Sequence, residues 1–84
     1  MTQMLVHYAT SVYARFKTAF DADAEDRGRN GLSLLQLWKA ADGSAWALFQ
    51  IGDAAKARAF VSGKSTAFNA QAGVTTDFHL IETA

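Results

Sequence analysis

Three side chains have the chemistry and the placement that proton transfer or metal ligation would need. They are His7 near one end of the chain, and Asp77 and His79, two residues apart, near the other. His7 and His79 are the only histidines in 84 residues. A carboxylate beside two imidazoles can form a general acid–base group or a two-histidine, one-carboxylate metal set. A plain hydrogen-bonded network would use the same atoms without any reaction. Proton transfer by His79, His7 and Asp77 is the catalytic expectation carried forward, with no metal and no cofactor.

Other chemistries are excluded by what is missing. With no cysteine there is no disulfide, thiolate zinc site or cysteine nucleophile. Asp21, Asp23, Glu25 and Asp26 imitate the start of a calcium loop, but Asp26 stands where that loop needs glycine and Leu32 where it needs glutamate. The acidic run, with Arg27 and Arg29 after it, therefore reads as a solvated helix face. The chain has no P-loop lysine, GxGxxG, HExxH or GxSxG, and no serine or threonine has an identifiable base.

Periodicity supplies the scaffold for these groups. Met4 to Ala9 reads as a strand, and Thr10 or Ser11 can cap the helix after it. Tyr13, Phe16, Phe20 and Ala24 recur at helical spacing, predicting a helix of about four turns that ends at Gly28-Arg29-Asn30-Gly31. Leu32–Lys39 and Ala45–Ile51 read as a hairpin around Asp42-Gly43. Asp53 caps a second helix, which Ser62-Gly63 should interrupt, with Ser62 or Ser65 recapping it before Gly73 ends it. Val74 to Ile81 is the last strand. The order βαββαβ predicts one α+β domain over residues 1–84, ferredoxin-like, with a four-stranded antiparallel sheet and two helices on one face.

Alternation splits each strand between two faces. Met4, Val6 and Tyr8, then Leu35, Leu37, Ala47, Phe49 and Ile51, then Val74, Thr76, Phe78 and Leu80 should meet the helices. The opposite set is Leu5, His7 and Ala9, then Leu34, Gln36, Trp38, Trp46, Leu48 and Gln50, then Thr75, Asp77, His79 and Ile81. That face is too apolar for bulk water and too polar for a core, which marks a partner or ligand surface. A homodimer packing sheet on sheet would bury the tryptophans and enclose a space lined by polar groups. Gln36, Trp38, Trp46 and Gln50 are the candidate ligand-binding residues, for a small apolar or aromatic molecule.

Val12-Tyr13-Ala14-Arg15-Phe16-Lys17-Thr18-Ala19-Phe20-Asp21, and Trp46 through Phe60 (WALFQIGDAAKARAF), resemble the first helix and the third strand with second helix of small proteins of the dimeric α+β barrel superfamily. Ser62 and Ala72-Gly73-Val74 fit as well. The resemblance spans roughly Met4 to Ile81 and includes the antibiotic-biosynthesis-monooxygenase-like, polyketide-cyclase-like and haem-degrading groups. It implies a dimeric ferredoxin-like barrel with a cleft between sheet and helices, and either a cofactor-independent monooxygenase-like or cyclase-like activity or a non-catalytic dimer. The haem-degrading activity is not carried over, because Asn30 and Asn69 fall at helix ends or within a helix.

An RNA-recognition domain shares the βαββαβ order. It would need aromatics where Leu48 and Leu5 stand and a basic residue before Trp46. Eight basic against eight acidic residues provide no field for nucleic acid. Nor is there a membrane-length apolar run or a basic, apolar leader at Met1 to Tyr8. The expected setting is cytoplasmic, with no nucleic-acid or membrane partner.

Overall fold

The computed structural model describes residues 2–82, and their side chains apart from those of 64–67 and 71. The elements run β1 (Thr2–Ala9), α1 (Tyr13–Ala22), α2 (Ala24–Arg29), β2 (Leu32–Lys39), β3 (Ala45–Ile51), α3 (Ala54–Ala72) and β4 (Thr75–Glu82). The strands form one sheet in the order β2-β3-β1-β4, antiparallel throughout. This is the expected ferredoxin-like arrangement. Each central strand is flanked on both sides, so the residues of β1 are in register with β3 and β4 at once.

Alternation is obeyed most closely on the central strands. Met4, Val6 and Tyr8 of β1, and Ala45, Ala47, Phe49 and Ile51 of β3, are buried against the helices. Phe16, Ala19 and Phe20 of α1, with Ala57 and Ala72 of α3, close over them. Phe16 and Phe20 are essentially inaccessible, and Tyr8 packs its ring against both at 4.8 and 5.8 Å between centroids.

The hairpin turn is held by its own polar groups. The Ser44 amide and hydroxyl both donate to Asp42 Oδ1, at 2.9 and 2.6 Å, and these bonds hold the carboxyl below the usual carboxylate range. Gly43 takes φ +89°, which a side chain would resist. Asp53 caps α3 by accepting from the Lys56 amide at 3.0 Å, and Gly73 closes that helix at φ +69°.

Four local expectations are corrected. The long first helix is two helices, because Asp23 adopts φ −90°, ψ 0° and its amide is shared between the carbonyls of Ala19 and Phe20. Ala24 consequently lies exposed on the second segment. No side chain caps α1 directly: Val12 occupies the cap position, and the Thr10 hydroxyl accepts from the Val12 amide at 3.0 Å. Ser62-Gly63 does not interrupt α3. One glycine costs a helix only about 1 kcal/mol, and Phe60, Val61 and Phe68 pack both halves onto the same core. The expected recapping by Ser65 falls on a side chain outside the described ones.

The fourth correction concerns β2. Leu34 lies opposite Phe49 on the helix side, not on the outer face, and a bulge between Leu34 and Gln36 leaves Leu35 without a partner. Strict alternation assigned Leu35 the inward place. It is 49% exposed, and Leu34 is 45% exposed, because the bulged edge strand leaves the cover of the helices.

Candidate functional site

The structure brings all seven predicted site residues onto the outer sheet face, opposite the helices. His7 lies directly across from Trp46 on one side and Asp77 on the other, and its ring stacks on Trp46 with centroids 4.2 Å apart. Trp38 faces Trp46 across the β2–β3 pair, Gln36 faces Leu48, and Gln50 lies between Gln3 and Ser33. His79 faces Leu5, one diagonal step from His7. The residues thus share a surface but not a hydrogen-bonded group. Among the described residues no hydrogen bond joins His7, Asp77 and His79, and no cluster of His, Asp and Glu is placed to hold a metal ion. Asp77, His79, Gln36 and Trp38 are exposed, whereas His7, Trp46 and Gln50 are half-buried.

A concave site lies on the other side of the sheet. Tyr8, Leu32 and Thr76 form its floor, Phe60, Val61 and Phe68 of α3 one wall, and Asp23 with Arg27 the other. The cleft is open to solvent on one side and has a cavity volume of about 30 Å³. It lies between the sheet and the helices. Its lining is mainly apolar, with a few convergent polar groups, which is the usual make-up of a small-molecule site.

Arg27 is the unexpected member. Read as part of a solvated helix face, it is only 7% exposed. The break at Asp23 turns α2 so that the guanidinium folds back over Phe20, with its carbon 3.8 Å from the ring centroid. Nη1 donates to the Phe20 carbonyl at 2.6 Å, at the end of α1 where carbonyls lack helical partners and cations are favoured. Asp23 Oδ2 stands 3.9 Å from the same nitrogen. Burial pulls the Arg27 pKa downward, against the opposing pull of Tyr8, Asp23 and Asp21, and an arginine in such company stays charged. A signal for this was present in the sequence. Phe16, Phe20, Asp23 and Arg27 are spaced four, three and four apart, so the buried stripe continues through the two charged residues instead of through Ala24.

Tyr8 is the second polar group of the cleft. Burial raises its phenol far above the usual tyrosine range, with Arg27 pulling the other way, so the hydroxyl stays protonated. Thr76 donates from Oγ1 to Asn69 Oδ1 at 2.6 Å and ties the β4 floor to α3. The cleft therefore offers a fixed cation and a neutral phenol on an apolar lining, with one carboxylate beside the cation. Such a set can bind a small apolar molecule through one or two oxygens and favour negative charge on the oxygen nearest Arg27.

Comparison with known proteins agrees with this architecture. No protein-family model and no curated protein matches the sequence. Among solved structures, the chain is similar to a candidate antibiotic biosynthesis monooxygenase from Deinococcus radiodurans, with a TM-score of 0.70 at 14% identity, covering 100% of this chain and 93% of that one. It is also similar to SnoaB, a cofactor-independent oxygenase from Streptomyces nogalater, with a TM-score of 0.65 at 20% identity, covering 99% and 91%. At these identities the likeness is one of fold. The chain shares the α+β, ferredoxin-like fold of these two proteins. Among the described residues, no helix is long and apolar enough to cross a membrane.

Proposed function

We propose that this protein binds a small apolar or aromatic molecule in the cleft between sheet and helices, and that two copies associate through the outer sheet face. The observation that carries the first part is the buried Arg27 beside the protonated Tyr8 in a mainly apolar lining. The second part rests on Trp38, 45% exposed, and on Ile81, also exposed, beside the half-buried Leu5, Trp46 and Leu48. A patch of that kind is a usual mark of an interface.

The reaction class this site suits is a cofactor-independent, monooxygenase-like or cyclase-like conversion. The oxygenase activity of the Streptomyces neighbour supports it at the level of fold. When a substrate must itself supply electrons to dioxygen, it does so most readily as an anion. A buried cation on the cleft wall lowers the energy of that anion, and a neutral phenol can donate to the same oxygen. A second location for the ligand is the space that two outer faces would enclose, where His7, Asp77 and His79 would move protons beside Gln36, Trp38, Trp46 and Gln50. The stacking of His7 on Trp46 favours it, as a ready platform for a planar molecule.

Isothermal titration with a bicyclic phenol such as 2-naphthol tests the cleft. Binding by the wild-type protein and a loss of about tenfold in Arg27→Met, equivalent to one charge-assisted hydrogen bond, support the reading. Equal affinities for the two proteins would overturn it.

A further inference from the structure

Two hydroxyls stand side by side on the floor of the cleft, and the fold leaves them in different states. Tyr8 of β1 and Thr76 of β4 are directly opposite each other in the antiparallel register, and both line the cleft. Side chains so placed are about 5 Å apart at Cβ. Tyr8 is only 7% exposed, yet among the described residues its hydroxyl makes no hydrogen bond, so both its proton and its lone pairs are open to a ligand. The Thr76 hydroxyl is committed. It donates its single proton to Asn69 Oδ1 at 2.6 Å, at the short end of the range for such a bond. Among the described residues no donor reaches the Thr76 oxygen in return. With its proton taken, that oxygen can only accept from whatever enters the cleft.

The end of α3 fixes the residue that takes the proton. The main-chain carbonyl of Asn69 accepts from the amides of Gly73 and Val74, at 2.8 and 3.1 Å, across the turn in which Gly73 adopts φ +69°. Val74 is buried and β4 starts at the next residue. One tight turn therefore joins the strand that carries Thr76 to the helix residue that orients its hydroxyl.

The charged groups lie toward the other side of the cleft. Arg27 belongs to α2, which packs on β2, and β2 and β4 are the opposite edges of the sheet. The Tyr8 ring stands between them: it is 5.8 Å from Phe20 between centroids, and Arg27 covers Phe20 at 3.8 Å. Asp23, the carboxylate of the lining, is beside Arg27 and away from Thr76. The cleft thus runs from a cation, past a phenol, to a neutral oxygen that presents lone pairs alone.

We infer that Thr76 is a specificity-determining residue of the cleft, with Asn69 as its positioning residue, and that the pair selects an aromatic ligand carrying a hydroxyl or N–H donor at the end remote from the oxygen held by Arg27. This rests on the reading of the cleft as the ligand site. A ligand that ended there in an ether would set lone pairs against lone pairs and strip water from the Thr76 oxygen without replacing it. A threonine free to rotate would not discriminate, because it could turn its proton toward the ether.

Isothermal titration with three bicyclic probes tests this: 2-naphthol, 2,6-dihydroxynaphthalene and 6-methoxy-2-naphthol, which differ only at the far end. The wild-type protein should bind the diol about fivefold or more tightly than the methyl ether, the difference between one hydrogen bond made and one oxygen left unpaired. Thr76→Val keeps the size of the side chain, removes its oxygen and should bring the two affinities within about twofold. Thr76→Ser retains the oxygen and should retain the preference. Asn69→Leu releases the Thr76 proton and should also narrow the preference to about twofold, whereas Asn69→Asp still accepts that proton and should keep it. A hydrogen bond that only tied β4 to α3 would change melting temperatures, read by circular dichroism, and leave the ratio of affinities alone. The two positions provide independent readings if one variant folds poorly. A preference that survives both Thr76→Val and Asn69→Leu, or binding of 2-naphthol with no preference between diol and ether, would overturn the role of Thr76 while the cleft reading stands. Failure of all three probes to bind would overturn both.

Discussion

The two faces of the central strands are chemically different although they share one backbone. On β1, Met4 and Val6 are fully buried in an aromatic and aliphatic core and Tyr8 nearly so, while Leu5 and His7, one residue away, stand half-covered on the far side. On β3, Phe49 is inaccessible and Leu48 and Trp46 beside it are not. The inner face therefore holds the fold together and closes around a cleft. The outer face also carries much hydrophobic bulk, and among the described residues no element of the same chain covers it. Sequence composition alone does not distinguish these two uses of apolar residues; position relative to the helices does.

Paired substitutions sharpen that contrast, and the largest effect is expected in the core. Phe49→Ala should cost about 3–5 kcal/mol and leave little folded protein, since it empties a fully packed site. Leu48→Ala should cost a fraction of that in dilute protein, measured by urea denaturation. Equal costs would mean that the outer face is as well packed as the inner one.

Arg27→Met should come next, destabilising by about 1–3 kcal/mol through loss of the bond to the Phe20 carbonyl. If the guanidinium only braced the α1–α2 junction, stability would fall and ligand affinity would not. Tyr8 supplies a pH test of the same face. Its folded pKa lies above its unfolded one, so the protonated phenol contributes stability that is complete below about pH 10, the ordinary tyrosine pKa, and declines as pH rises above it. Melting temperatures should therefore fall as pH rises above about 10, and Tyr8→Phe should flatten that decline. A decline equally steep in the variant would place its origin elsewhere.

The smallest effect is expected on the outer face. Trp38→Ser should change unfolding free energy by no more than about 0.5 kcal/mol in dilute protein. Light scattering should nevertheless show weaker self-association.

How far this was legible in the sequence depended on whether the signal was local. The hairpin strands and the ends of α3 could be read because Asp42-Gly43, Asp53 and Gly73 each impose one backbone geometry through adjacent atoms. The outer positions of β1, β3 and β4 came from alternation alone. The bulge at Leu35 was not legible, because it depends on how β2 meets its neighbour and not on its own residues. The break at Asp23 was hidden by good helical spacing on both sides, and with it the burial of Arg27. Charged residues at stripe positions are ordinarily assigned to solvent, and only the turn of α2 brings this one over Phe20. Alternation thus collected the seven candidate residues on the outer face, while the concave site formed on the inner one.

The most direct test of this division is an amide-resolved nuclear magnetic resonance titration with 2-naphthol, because the chain's two indole N–H groups, Trp38 and Trp46, both report from the outer face. Binding in the cleft predicts saturable shifts at Leu32, Val61 and Thr76, with both indole signals unmoved. Shifts confined to the indoles, with the cleft residues still, would contradict it.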